Sequence, residues 1–139
     1  MFRTFAIGAF CLCFICFVNG CGYKMPRHLQ TFKVSGKVTL DGKPVVGNEV
    51  RFVPVTAGRN GLDARSFIAE DGTYSASSYV DQEGMVPGEY KVYVEPFAIL
   101  PGKPSITPTT IPEKYRSQES TDLKFTVKSE DNRFDIALN

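Results

Sequence analysis

The chain has 139 residues, 42% of them hydrophobic, with 16 Lys+Arg against 15 Asp+Glu. That length and composition suit one globular domain with its own core, and the balanced charge excludes the basic footprint of a nucleic-acid binder. One histidine, His28, and four cysteines at 11, 13, 16 and 21 leave no His/Cys metal centre, disulfide framework or cysteine nucleophile for the rest of the chain.

Residues 1–20 read as a cleaved signal peptide. Arg3 is the only charge, and Phe5 to Val18 is an unbroken uncharged run that leads to small residues at a cleavage point. The run is shorter than the roughly 20 apolar residues that a membrane-crossing helix needs. Val18-Asn19-Gly20-Cys21 resembles the lipobox of bacterial lipoproteins: an aliphatic residue, a small or polar one, Gly or Ala, then Cys. The resemblance implies that the Cys21 thiol carries a diacylglyceryl group with palmitate-like chains. It also implies cleavage just before Cys21 and an exported protein anchored to a bacterial membrane in the cell envelope. Two or more acyl chains make such an anchor stable, at ~0.8 kcal/mol per buried CH₂. Ordinary signal cleavage is the alternative, because Val18 and Gly20 also suit that peptidase. Residues 21–31 then form a membrane tether, in which Lys24, Arg27 and His28 either meet anionic headgroups or are simply solvated.

From Phe32 to the end, residues 32–139, the pattern is that of a β domain. Phe32, Val34, Val38 and Leu40 alternate with Lys33, Ser35, Lys37 and Thr39, which is a half-buried strand. Gly36 falls on its inner face and predicts a bulge or a close neighbour. Asp41-Gly42-Lys43-Pro44 turns the chain. A second strand covers about 48–55, with Val50 and Phe52 inward, Glu49 and Arg51 outward, and Pro54 at a sheet edge. A Gly-rich loop, 56–63, leads to a strand over 65–70 whose facing is open, since Phe67 and Ile68 are adjacent. Asp71-Gly72 predicts a tight hairpin into a strand over 74–79 with Tyr74 and Ala76 inward.

Pro87-Gly88 opens the clearest strand: Tyr90, Val92 and Val94 inward, Lys91, Tyr93 and Glu95 outward. Prolines 96, 101, 104, 108 and 112 make 96–122 a long irregular loop. Two strands close the chain. Leu123, Phe125 and Val127 alternate with polar residues, and after a turn at 129–132 so do Phe134, Ile136 and Leu138. Some seven short strands without helical periodicity predict a β-sandwich.

Val34-Ser-Gly-Lys-Val-Thr-Leu-Asp41-Gly42-Lys-Pro44 through Phe52, then Asp71-Gly72-Thr73-Tyr74, then Pro87-Gly88-Glu89-Tyr90-Lys-Val92-Tyr-Val94 resemble the three marks of carboxypeptidase regulatory-like domains. The ending, Ile111-Pro-Glu-Lys-Tyr115 and Asn132 to Leu138, is similar to small bacterial lipoproteins that carry this domain alone. The resemblance covers residues 34–138. It implies a seven-stranded Greek-key, transthyretin-like (prealbumin-like) sandwich. It implies no peptidase activity, since these marks specify turns and core positions rather than chemistry.

No catalytic set is expected. His28 lies in the tether, without a scaffold to position it. Asp41, Asp71, Asp81, Glu83 and Asp131 are spread over separate loops, unlike a calcium loop, so neither a metal nor a cofactor is expected. Tyr93, Phe97 and Tyr115 are the candidates for ligand or partner contact, with Tyr79 beside them, because exposed aromatic rings stack on sugars. Tyr115 alternatively pins the long loop to the sandwich, and Phe97, Ile99 and Leu100 alternatively cover a sheet edge. The expected protein is therefore a non-enzymatic, membrane-anchored lipoprotein whose sandwich is a structural or protein-interaction module. Its expected partners are the membrane, through Cys21, and an envelope protein. A module binding an envelope glycan is the alternative.

Overall fold

The computed structural model describes residues 29–56, 62–97 and 106–139. Among them the chain forms β1 (Val34–Leu40), β2 (Lys43–Pro44), β3 (Asn48–Pro54), β4 (Ala64–Phe67), β5 (Thr73–Ala76), β6 (Gly88–Pro96), β7 (Lys124–Val127), β8 (Asn132–Arg133) and β9 (Ile136–Leu138). One 3₁₀ turn, Glu113–Tyr115, interrupts the loop after β6. The fold is all-β, and no helix among the described residues is long and apolar enough to cross a membrane.

Two sheets result. β1 is the spine of the first. β5 runs antiparallel along one side of it, and β2 continues on that same side, since both the N–H and the carbonyl of Val38 bond there, to Gly72 and Val45. β8 and β9 run parallel to β1 on its other side. The second sheet is antiparallel, in the order β4-β3-β6-β7. Pro54 has its predicted edge position for a simple reason: β4 pairs only with residues 49–52 of β3, so Pro54 lies beyond it and needs no N–H on that side.

The inward residues read from alternation meet between the sheets. Val34, Val38, Ala76 and Ile136 of the first sheet face Val50, Phe52, Tyr90, Val92, Val94 and Val127 of the second, and all are buried. Phe52 touches Tyr74 across the gap, with ring centroids 6.0 Å apart, and meets Tyr90 edge-on at 6.5 Å. One rim is closed by Phe125 stacked on Phe134 at 4.4 Å. The other is closed by backbone. β4 and β5 are the arms of a hairpin that bond at Ala69–Thr73 and again at Arg65–Ser77, but part between those points to join different sheets. In the gap, Ser66 Oγ accepts the Ser75 N–H. Asp71 steadies the turn by accepting from the Thr73 N–H and hydroxyl, which holds its carboxyl below the usual range.

Four expectations need correction. The strand expected over 65–70 is β4, Ala64–Phe67, and ends at Phe67, which faces out, while Ile68 turns into the core with its N–H on the Asn48 carbonyl. The Asp41–Pro44 turn contains a strand pair: Asp41 and Gly42 have φ of 50° and 78°, consecutive left-handed residues that make a two-residue hairpin and pair Lys43 with Leu40. The strand expected over 74–79 ends at Ala76, where Ser77 divides its bridges between Arg65 and Gly84. The last strand is two pieces, because the Phe134 carbonyl leaves the ladder. It turns inward over Gly36 and accepts the Tyr74 hydroxyl at 2.6 Å, while Asp135 Oδ1 takes the stranded Lys37 N–H. Only a glycine permits this, since a Cβ on Gly36 would lie 1.9 Å from that oxygen. Glu49 is on the outer face as expected, and is 9% exposed there. The neighbours that bury it belong to the site.

Candidate functional site

The register of the second sheet determines what its outer face carries. Glu49 stands opposite Phe67 on β4 and Glu95 on β6, and Arg51 stands opposite Arg65 and Tyr93. Side chains at such pairs lie about 5 Å apart at Cβ and interact. Arg51 Nη1 contacts Glu49 Oε1 at 3.1 Å and Arg51 Nε contacts Glu95 Oε1 at 3.5 Å. Burial works against the Arg51 charge, but the Tyr93 hydroxyl, Glu49 and Glu95 more than offset it and hold the guanidinium more firmly protonated than usual. The two carboxylates share one cation. Burial, then the hydrogen bond with Glu49, push the Glu95 carboxyl above its usual range against the pull of Arg51.

Beyond this cluster the face folds over the β4–β5 corner into an open groove of about 600 Å³. Arg51, Arg65 and Phe67 form its wall from the second sheet. Ser75 and Ser77 form the facing wall, with Ser78, Tyr79 and Val80 of the following turn, and Asp63 is the acid of the lining. Phe67 is 43% exposed. The groove thus presents a guanidinium, hydroxyls and an aromatic ring, a set suited to hydrogen bonding and stacking with a polar, partly apolar-faced ligand.

The expected contact residues are only partly brought together. Tyr93 is on the outer face as predicted, but it is half-buried with its hydroxyl against Arg51 rather than presented as a platform. Phe97 is half-buried and meets Phe67 edge-on at 5.1 Å, so the two aromatics form one patch at the end of the groove wall. Tyr115 is turned inward rather than presented to solvent. It is 5% exposed and its hydroxyl donates to Asn139 Oδ1, so it pins the loop to the chain end. The same loop is held further along by Thr109, which bonds Val46 through its hydroxyl and N–H and accepts from Asn48 Nδ2. Cys21, His28, Ile99 and Leu100 lie outside the described residues.

Tyr79 has a second role. Its hydroxyl accepts the Leu29 N–H at 3.0 Å, and Thr31 Oγ1 donates to the Glu83 carbonyl. Leu29 to Phe32 is therefore clasped by the turn that lines the groove, and the stretch read as tether is bound to the domain from Leu29 onward. Sequence reasoning missed Arg65 and the serines. The outward position of Arg51 was readable, but nothing local told that β4 would pair with it in this register, or that the arms of the hairpin would part. Among the described residues no group of three or more His, Cys, Asp or Glu is placed to hold a metal. No family model matches the chain, no curated protein matches its sequence, and no solved structure matches its fold.

Proposed function

We propose that the chain is a non-enzymatic lipoprotein of a bacterial cell envelope, anchored through a lipid on Cys21. Its domain, in this reading a Greek-key sandwich of the transthyretin-like kind found in carboxypeptidase regulatory-like domains, seven-stranded when β8 and β9 count as one interrupted strand and the two-residue β2 is left aside, serves as a structural or protein-interaction module. The observation that carries the proposal is the combination of the Val18–Cys21 motif with a domain clasped from Leu29 onward. Seven residues separate the two, which reach about 25 Å at ~3.3–3.6 Å each. Such a stub suits a module held at a surface. Mass spectrometry of the intact protein from the membrane fraction tests the anchor: a chain beginning at Cys21 and heavier by its acyl groups is expected. A chain beginning there with no added mass, or one that keeps its leader, refutes it.

The second reading, a carbohydrate-binding module, is favoured by the groove. Its serines and the exposed Phe67 ring can serve a saccharide better than Tyr93, whose hydroxyl is engaged by Arg51. Titration of envelope polysaccharides against the protein, followed by tyrosine fluorescence through Tyr79, tests it. A saturable change is expected, and a flat response across the panel refutes it.

A further inference from the structure

We propose that the groove at the β4–β5 corner takes an acidic saccharide, a sugar bearing a carboxylate, and that Arg65 is the residue that receives the charge. The proposal rests on the carbohydrate reading and adds the charge of the ligand to it.

The argument starts from a mismatch in the sheet. Arg51 and Arg65 are register partners on one face, and like charges directly opposite each other destabilise an antiparallel pair. Arg51 is compensated within its own sheet by Glu49 and Glu95. Arg65 is exposed, and none of the ion pairs among the described residues includes it, although Asp63 lines the same groove. Its backbone is fixed by two bonds to Ser77, each 3.2 Å, so its side chain leaves from a rigid point at the groove wall. An anion over Arg65 supplies the compensation that Arg51 has already and Arg65 lacks.

The anion has to be of a particular kind. A guanidinium fork matches a planar carboxylate through two parallel hydrogen bonds. The opposite wall is hydroxylic, with Ser75 and Ser77 exposed or half-buried in the lining, and these groups can both donate to and accept from sugar hydroxyls. Phe67 adds an exposed ring at the end of the wall, braced by Phe97, against which the C–H face of a pyranose can pack. A neutral sugar would use the serines and the ring but leave Arg65 without a counter-charge. A small inorganic anion would pair with Arg65 but leave the ring and the facing wall unused.

The test is calorimetric titration of the full chain in detergent with a galacturonate trisaccharide and with its methyl ester, which keeps the shape and removes the charge. The acid should bind about tenfold or more tightly than the ester, and weaken as salt is raised. Arg65→Ala should bring the acid down to the affinity of the ester, and Arg65→Gln serves if that variant melts early. Lys124→Ala, on β7 at the far edge of the sheet, should change nothing. Equal binding of acid and ester, unaffected at Arg65, overturns the proposal while leaving the carbohydrate reading in place. Binding of neither removes both. Acid binding that falls as much in Lys124→Ala as in Arg65→Ala is diffuse charge attraction and also overturns the proposal.

Discussion

Replacing Gly36 by alanine tests the least ordinary feature of the fold. A methyl group there would sit 1.9 Å from the Phe134 oxygen, 2.6 Å from its carbonyl carbon and 3.0 Å from the Tyr74 ring. The first two neighbours are backbone and cannot rotate away, so the segment joining β8 to β9 must move off β1. Overpacking of that kind costs about 1–3 kcal/mol. The movement also takes the carbonyl from the Tyr74 hydroxyl, which is buried and has Phe134 as its bonded partner. A buried hydroxyl left unpaired costs about 1–3 kcal/mol more. The sum, about 2–6 kcal/mol, is a large part of the 5–15 kcal/mol that domains of this size have, and corresponds to a Tm lower by about 10–30 °C. Urea unfolding of the two proteins at constant slope measures it directly. The mechanism has a second signature. Tyr74→Phe should destabilise the native chain by removing the donor, yet do much less in the Gly36→Ala background, where the bond is already broken. A coupling of at least about 1 kcal/mol between the two changes is expected. Strict additivity, or a Gly36→Ala protein within about 0.5 kcal/mol of the native one, would show that the Phe134 carbonyl is not held as described.

Two further perturbations read other parts of the structure. The folded-state pKa of Glu95 is raised, so folding favours its protonated form. The stabilising share is whole below the unfolded-state value and is lost as pH rises through the folded-state value. Glu95→Gln should therefore leave stability unchanged near pH 3 and raise it near pH 8, by denaturant melts across about that range; a variant less stable than the native chain near pH 8 would mean that the Arg51 contact outweighs the burial of Glu95 beside Glu49. Thr109→Val keeps the shape but strips the acceptor from the Val46 N–H, at a cost of about 1 kcal/mol. Faster limited proteolysis between residues 96 and 122 is expected, and an unchanged cleavage rate would show that Thr109 does not clamp the loop.

The core was legible because period two is a strong rule wherever one face of a strand is dry. Val34 and Val38, Val50 and Phe52, Tyr90, Val92 and Val94, Ile136 and Leu138 were each placed inward by alternation, and each is buried. Gly36 was legible as a close approach, because a glycine on an inner face leaves room for something, though not for what. The approach comes from a carbonyl 98 residues later, and no local pattern encodes that. The broken ends of β5 and between β8 and β9 were illegible for the same reason: each break serves a bond to a distant strand, Ser77 to Arg65 and Tyr74 to Phe134. Glu49 was placed on the right face, but alternation reports which face a side chain is on, not whether that face is covered. Here Arg51, Glu95 and the Phe67–Phe97 pair cover it.

The groove was hidden for a more general reason, and the same reason bears on which of its residues matters. A site on the outer face of a sheet is made by register, and register is a relation between strands that neither strand states alone. Arg51 and Arg65 look equivalent in sequence, as two outward arginines on neighbouring strands. Pairing separates them. β3 is central, so Arg51 has neighbours on both sides and finds two carboxylates within reach, one on its own strand and one on β6. β4 is at the edge of its sheet and turns away toward β5, so Arg65 has Arg51 on one side and, across the groove, hydroxyls with Asp63 as the one acid of the lining. The central arginine is therefore spent on the sheet, and the edge arginine is the one with charge to offer a ligand. Its position gives that ligand a location as well. Tyr79 lines the groove and also holds Leu29, so if Cys21 carries its lipid, the groove opens at the anchored end of the domain. An acidic polymer would then be held close against the membrane, and moving the anchor from residue 21 to the far end of the chain should leave affinity for a soluble trisaccharide unchanged while weakening retention of a surface-bound polymer.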